Sequence, residues 1–480
     1  MSQTLLERLA EYVPNATPMH MPGHKRNTEM AAYLKQLGAG LDITEIDGFD
    51  NLHDAHGVLA EGMARAAALW GSGQAFYLVN GSTCGNLAAV RAVLGGKGGR
   101  VLAARNCHRS VWHALELCRA ETECLYPPCC PETGACGALS PEAVEAALAR
   151  RPDTRLVILT SPTYEGVVSD VAGICRIAHR YGVPVLVDEA HGAHLGFGHG
   201  FPDGAVHAGA DLVVQSLHKT LPSLTQTALL HVSGSLVELR RVQAALAMFE
   251  TSSPSYLLMA SIDGCVSLLE QRGAELFASW ERALDTFFAH TAGLRRLHLF
   301  RGGSLPPGAA HDPSKLVICT AGTDCSGPQL AERLRRAYAI ECEAATAGTV
   351  IAMTGMGDTE QTLSRLAGAL LEVDAGLSAG SRAVLPQLPE QERVLPAWQA
   401  AERPWQLMPP EQAAGLVCAE TVWAYPPGVP LLLPGERIGA GLADYLAASA
   451  ACGVTMHSSL GQLPQNIGVL IDKTPETCKI

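Results

Sequence analysis

The feature that most narrows the fold is an alternation, across residues 74–211, of short apolar runs with alanine-rich amphipathic stretches. Runs of Val, Ile and Leu without a regular polar position suit strands covered on both faces, and helices between them suit the crossovers that a parallel sheet requires. Strands are expected at residues 75–79, 100–103, 156–160, 183–187 and 212–214. Helices are expected at 141–150 and 171–181, the first with Ser140 as N-cap and Pro141 at the first helical position, where no N–H is needed. The expectation is an α/β fold with a large, mainly parallel sheet.

Beyond Pro254 the pattern turns helical from residue 257 to about 290, and a second α/β-like region follows to about 377. Residues 378–396 are rich in Ser, Gly, Pro and Glu and read as a linker or surface loop. The stretch 404–434 is too proline-rich for a long helix, since each Pro removes a donor and fixes φ. The expected layout is an N-terminal arm over 1–60, a large α/β domain over 61–290, a smaller α/β domain over 291–380 and a C-terminal domain over 381–480.

A formal net charge of −12, without clustered Lys and Arg, argues against nucleic acid as a partner. No window approaches eighteen uninterrupted apolar residues, and residues 1–10 are a mixed stretch rather than a signal segment, so no membrane partner is expected and the cytoplasm is the expected compartment. The fifteen cysteines are scattered and read as reduced thiols. Their tightest group, Cys124, Cys129, Cys130 and Cys136, fits no common zinc spacing, so no metal is expected.

Two segments carry chemistry. Val187-Asp188-Glu189-Ala190-His191-Gly192 and Gln215-Ser216-Leu217-His218-Lys219-Thr220 each follow a β-branched run. That places Asp188 and Lys219 at the carboxyl ends of neighbouring strands, where open α/β sheets build their ligand crevice. A lone lysine after a strand is usually a solvated surface residue. A lysine and a carboxylate so paired are what pyridoxal 5′-phosphate (PLP) needs: the amine condenses with its aldehyde, and the carboxylate keeps the pyridine nitrogen protonated so that the ring can absorb electrons. The loop Asn80-Gly81-Ser82-Thr83-Cys84-Gly85-Asn86, between a strand and a helix, supplies N–H groups and two hydroxyls suited to a phosphate, although such a turn is more often a simple N-cap. The next strand ends at Arg105-Asn106-Cys107-His108, bringing an imidazole to the same rim.

These segments, with His20-Met21-Pro22-Gly23-His24-Lys25, Asp42-Ile43-Thr44-Glu45, Asp50-Asn51-Leu52-His53, Ser161-Pro162-Thr163-Tyr164-Glu165-Gly166, Ser252-Ser253-Pro254-Ser255-Tyr256, Tyr425-Pro426-Pro427-Gly428-Val429-Pro430 and Leu433-Pro434-Gly435-Glu436, span nearly the whole chain. In that order they resemble the fold-type-I Orn/Lys/Arg decarboxylase family. The resemblance implies an aspartate-aminotransferase-like large domain, PLP as cofactor, a basic amino acid as substrate, and a homodimer or higher homo-oligomer whose active sites draw on two subunits. By resemblance, Ser82, Thr83, Ser216 and His218 bind phosphate, His108 stacks on the ring, Asp188 pairs with the pyridine nitrogen and His191 lies near the phenolate edge. Thr251 and Ser252 reach the phosphate of the partner subunit, and Glu436 faces the distal cation of the substrate, with Asp42, Glu45 and Asp47 as further acidic candidates.

The early His20 motif resembles the short branch that lacks an N-terminal receiver-like wing. His191 stands where longer members carry a tryptophan, and Asp54-Ala55-His56-Gly57 departs from a proline-containing version of its motif. The short branch most resembles biosynthetic arginine decarboxylases that supply polyamines. Lysine or ornithine decarboxylation stays open, as do a fold-type-I aminotransferase or aldolase and a catalytically silent PLP-binding homologue. An aminotransferase normally needs an arginine for the α-carboxylate, and Arg382 and Arg393 fall in the expected linker.

Overall fold

The apolar runs assemble into one seven-stranded sheet in the computed structural model, which describes residues 3–30, 32–130, 133–134, 136–380, 391–424 and 428–471. Its strands are β1 (Gln74–Leu78), β2 (Gly99–Ala104), β3 (Ala120–Leu125), β4 (Thr154–Thr160), β5 (Val185–Asp188), β6 (Leu212–Ser216) and β7 (Ala228–Val232), in the spatial order β1-β7-β6-β5-β4-β2-β3. All run parallel except β7, which pairs antiparallel with both β1 and β6. Two strands lie outside the sequence expectation. The edge strand β3, Ala-Glu-Thr-Glu-Cys-Leu, is too polar to read as an apolar run. The strand β7 is a five-residue apolar segment, a length at which periodicity cannot separate strand from helix.

Helices cover both faces of the sheet. On one side α1 (Gly81–Leu94), α2 (Arg109–Leu117), α3 (Pro141–Arg150) and α4 (Val171–Arg180) pack Ala88, Val111, Val144 and Ile174 against Val101, Ile158 and Leu186. Ser140 caps α3 by accepting from Ala143 N, with Pro141 at its start. On the other side the 36-residue helix α5 (Tyr256–Thr291) packs Tyr256, Phe277 and Phe287 against Tyr77 and Leu229. The same core takes in Leu5 and Leu9 of the N-terminal segment and Leu316, Ile318 and Val350 of a four-stranded antiparallel sheet. That smaller sheet contains β8 (Lys315–Cys319) and β9 (Thr349–Met353) as its inner pair. A separate core of Cys418, Val422, Leu432, Leu446 and Val469 holds the C-terminal region, whose proline-rich part forms only short strands. Residues 425–427, and Arg382 with most of the expected linker, lie outside the described residues.

Candidate active site

The carboxyl ends of β1, β2, β4, β5 and β6 converge on a cavity of about 500 Å³. Parallel strands point the same way, so the residues just beyond them meet at one edge although they are far apart in sequence. Gly81, Ser82, Thr83, His108, Asp188, His191, Ser216, His218 and Lys219 all line this cavity.

After β6 the chain makes a single 3₁₀ turn, Leu217–Lys219, that lifts Lys219 over the sheet edge. Lys219 Nζ lies 2.8 Å from His191 Nε2. Burial holds the lysine pKa below its ordinary value, against the opposing pull of Asp188 and Glu343. Burial and then the lysine also hold His191 well below the ordinary imidazole value. A neutral imidazole that accepts through Nε2 carries its proton on Nδ1, and that buried atom has no partner among the described residues.

Asp188, the last residue of β5, is 3% exposed. Its Oδ2 accepts from Asn86 Nδ2 at 3.0 Å, and Asn86 also donates to Ser110 Oγ. Ser110 in turn contacts His108 Nδ1 at 2.9 Å, so helix α1, β5 and the N-terminus of α2 are tied by one polar chain. His108 is the N-cap of α2, which fixes its ring at the cavity rim, and burial lowers its pKa.

The phosphate loop has an uncapped helix end. Asn80 is the N-cap residue of α1, yet its side chain makes no cap hydrogen bond and instead accepts from Thr251 N at 3.0 Å. The first-turn N–H groups of α1 are left for an anion. Gly81, at φ 73°, takes the left-handed turn into the helix. Ser82 Oγ, in the first turn of α1, and Ser216 Oγ, at the carboxyl end of β6, stand 2.7 Å apart. At Gly85 a Cβ would meet Leu78 and Val214 at 2.8 Å, so this glycine lets the helix N-terminus sit close on the sheet.

A PLP-sized group fits this set. Buried acceptors and donors without a partner, among them His191 Nδ1, Asn86 Oδ1 and Thr160 Oγ1, line the cavity and await a polar ligand.

Two expectations end elsewhere. Glu436 is fully buried and does not line the cavity. Its Oε2 accepts from Arg105 at 3.1 Å and from Leu433 N at 2.8 Å, and its Oε1 accepts from Arg393 at 3.0 Å. Both oxygens are taken, so the expected contact with a substrate cation is corrected: Glu436 is an internal ion-pair centre. Asp42, Glu45 and Asp47 also lie off the cavity, and Asp42 faces His24 at 3.3 Å. Thr251 and Ser252 sit at the surface outside the cavity of their own chain, with Thr251 O accepting from His53.

Other residues at the site were not singled out in the sequence. Asn86 and Tyr164 line the cavity, with the Tyr164 ring 4.5 Å from that of His191 and its hydroxyl donating to Glu343 at 2.6 Å. Beneath the His191 loop, Lys315 is 1% exposed and donates to His191 O, Asp312 Oδ2 and Ser314 Oγ at 3.0, 2.7 and 2.8 Å. Asp312 also holds His194 Nε2 at 3.2 Å. The first residue of β8 thus clamps the segment that carries His191. No local signal announces Lys315, because its partners are 124 positions upstream as well as adjacent.

The family model for the Orn/Lys/Arg decarboxylase major domain matches residues 4–287, and that for the C-terminal domain of the same family matches residues 396–456. The chain is 32% identical to an arginine decarboxylase of Bacillus subtilis, over 87% of each chain. It is 30% identical to an arginine decarboxylase of Halalkalibacterium halodurans, over 92% of each. Its fold superposes on the constitutive lysine decarboxylase of Escherichia coli with a TM-score of 0.81, covering 97% of this chain and 82% of that one at 20% identity. With the lysine, aspartate and phosphate cradle in one cleft and the match running through both domains, the chain belongs to the Orn/Lys/Arg decarboxylase family, with the fold-type-I architecture.

Proposed function

We propose that this protein removes the α-carboxyl group of a basic L-amino acid with PLP as cofactor, and that the substrate is arginine, giving agmatine and CO₂ for polyamine formation. The observation that carries the reading is Lys219, half-buried in the cavity whose lining also holds Asp188, Ser82 and Ser216. Bound PLP would supply a ring that accepts the electron pair left at Cα when CO₂ departs.

The residues divide the remaining work. The first-turn N–H groups of α1, with Ser82, Thr83, Ser216 and His218, would hold the phosphate. Asp188, kept in place by Asn86 and Ala190 N, would accept from the pyridine nitrogen and stabilise its protonated form as charge shifts into the ring. The His191 Nδ1–H, lacking an acceptor in the chain, would meet the phenolate oxygen. Lys219 has a lowered pKa and so offers an uncharged amine more readily than a surface lysine does. Two groups can deliver a proton to Cα, Lys219 Nζ and the His108 imidazole. None of the cavity-lining residues described is an arginine, and Arg393 is engaged by Glu436, so nothing here offers the α-carboxylate the partner that a transaminase provides. A carboxylate left weakly bound favours loss of CO₂.

A second copy of the chain completes this reading. Met19, Met21, Met30, Tyr33 and Leu37 of the N-terminal segment are 60–87% exposed, an apolar surface suited to burial against a partner subunit. We take the working form to be a cytoplasmic homo-oligomer with Thr251 and Ser252 directed at the neighbouring site.

The deciding experiment is release of labelled CO₂ from arginine, lysine and ornithine with PLP supplied and no keto acid. Arginine is expected to be the preferred substrate, and Lys219→Ala to lose both turnover and the visible absorption of bound cofactor. A requirement for a keto acid would place the protein among the aminotransferases, and turnover of none of the three would sink the substrate assignment.

A further inference from the structure

Two acidic side chains in the cavity have no part in the roles above, Glu343, which accepts from the Tyr164 hydroxyl, and Glu165. Glu165 lines the cavity and is only 8% exposed. It sits in the tight turn after β4, where Gly166 N donates to Thr163 O and His311 Nε2 lies 3.0 Å from Glu165 O. The next residue, Gly166, is at φ 83° with a would-be Cβ 2.9 Å from the Lys315 side chain, so the turn is pressed against the clamp below it. The backbone of Glu165 is therefore held at the cavity wall.

Of the other buried carboxylates, Asp312 pairs with Lys315 and Glu436 with Arg105 and Arg393, whereas Glu189 and Glu420 are satisfied by hydrogen-bond donors away from the cavity. Glu165 forms no ion pair among the described residues, and burial raises its pKa against the hydrogen bonds from its own N–H and the Thr163 hydroxyl. A buried carboxylate without a counter-ion is unfavourable unless a ligand supplies one. A second, independent feature points to the same ligand chemistry. Asn106 is 7% exposed, lines the same cavity, and its Oδ1 accepts no hydrogen bond from the described residues. A carboxylate without a cation and an amide oxygen without a donor on one cavity wall suit a ligand that is cationic and rich in N–H groups, and a planar guanidinium meets a carboxylate through two parallel hydrogen bonds.

We propose that Glu165 is the carboxylate that binds the distal cation of the substrate, with Asn106 Oδ1 as a supporting acceptor of a guanidinium subsite. This rests on the decarboxylase reading above for the identity of the ligand, but not for its chemistry. The site selects cationic over isosteric neutral side chains.

The test compares arginine with citrulline, which replaces the guanidinium by a neutral urea of similar shape, in wild type and Glu165→Gln. The kcat/KM for arginine is expected to fall about 100-fold through KM, with kcat within about threefold, and the arginine-over-citrulline preference to collapse. Binding of agmatine to the protein without PLP, measured by calorimetry, should weaken at least about tenfold in Glu165→Gln and recover in part in Glu165→Asp. If Glu165→Gln does not fold, Glu165→Asp carries the test, with weakened agmatine binding expected. An unchanged preference, or unchanged agmatine affinity in a folded variant, would overturn the proposal. The two readings fail separately: a wild type that decarboxylates arginine while the variant is indifferent loses only the subsite. A wild type that turns over no basic amino acid, yet binds agmatine through Glu165, loses only the decarboxylase assignment.

Discussion

Glu436 and Glu165 are both buried glutamates within motifs that identify the family, and they sit in opposite electrostatic settings. Glu436, at the seam between the large sheet and the C-terminal region, has every oxygen occupied by Arg105, Arg393 and Leu433 N. Glu165, on the cavity wall, forms no ion pair among the described residues. Burial by itself therefore says little about function. Between these two the difference is whether the fold supplies a counter-charge and whether the residue lines the cavity.

The sharpest way to break this comparison is Glu436→Ala. It would leave Arg105, with an exposure of 8%, buried and unpaired, and the expected loss of stability is about 3–5 kcal/mol by chemical denaturation. A stable variant with altered substrate preference would reverse the roles assigned to the two glutamates. Lys315→Met tests the second matched cluster and should cost about 3 kcal/mol, because Asp312, held well below the usual carboxylate range by Lys315 and His194 against the effect of burial, would be stranded. Adding Asp312→Leu should restore most of the stability. The cofactor absorbance should stay perturbed in that double variant, since His191 O is no longer held.

Unmatched groups should announce themselves through pH. Burial pushes His231 down to about 3 and holds His191 and His194 below the ordinary value of 6.5. A basic group with a depressed folded pKa is neutral in the fold and charges on unfolding. Its contribution is complete above about pH 6.5 and is lost as the pH falls below it, by about 1.4 kcal/mol per imidazole per pH unit. The melting temperature should therefore drop between pH 7 and pH 5, and a flat profile would contradict the burial of these rings. Glu165 has the opposite sign. Its raised pKa makes the folded protein lose stability as pH climbs above the ordinary carboxyl value of 4.5, so Glu165→Gln should be more stabilising at pH 8 than at pH 5. Stability falling with Glu165→Gln at pH 8 would mean that a hidden cation pairs with it. Smallest of all, Asp42→Asn at the half-buried His24 contact should move stability by less than about 1 kcal/mol.

Much of the site was legible before any coordinates. Lys219 and Asp188 were readable because a strand's end is a local property: an apolar run stops, and the next residue stands at the sheet edge. The Gly81 loop and the His108 cap are local in the same sense. Helix α3 was legible from Ser140 and Pro141 alone. The antiparallel insertion of β7 between β1 and β6 was not, since five apolar residues carry no direction.

By itself, then, the order of residues determined the α/β alternation, the placing of Lys219 and Asp188 at one sheet edge, and membership of a family through motifs spread over the chain. The tertiary structure alone decided which carboxylates are free. Arg105 and Glu436 are 331 positions apart, and Lys315 reaches His191 across 124. A salt bridge depends on where the chain returns, and neither propensity nor spacing records that path. The same motif letter, a glutamate after a turn, is neutralised at one place and left open to a ligand at the other.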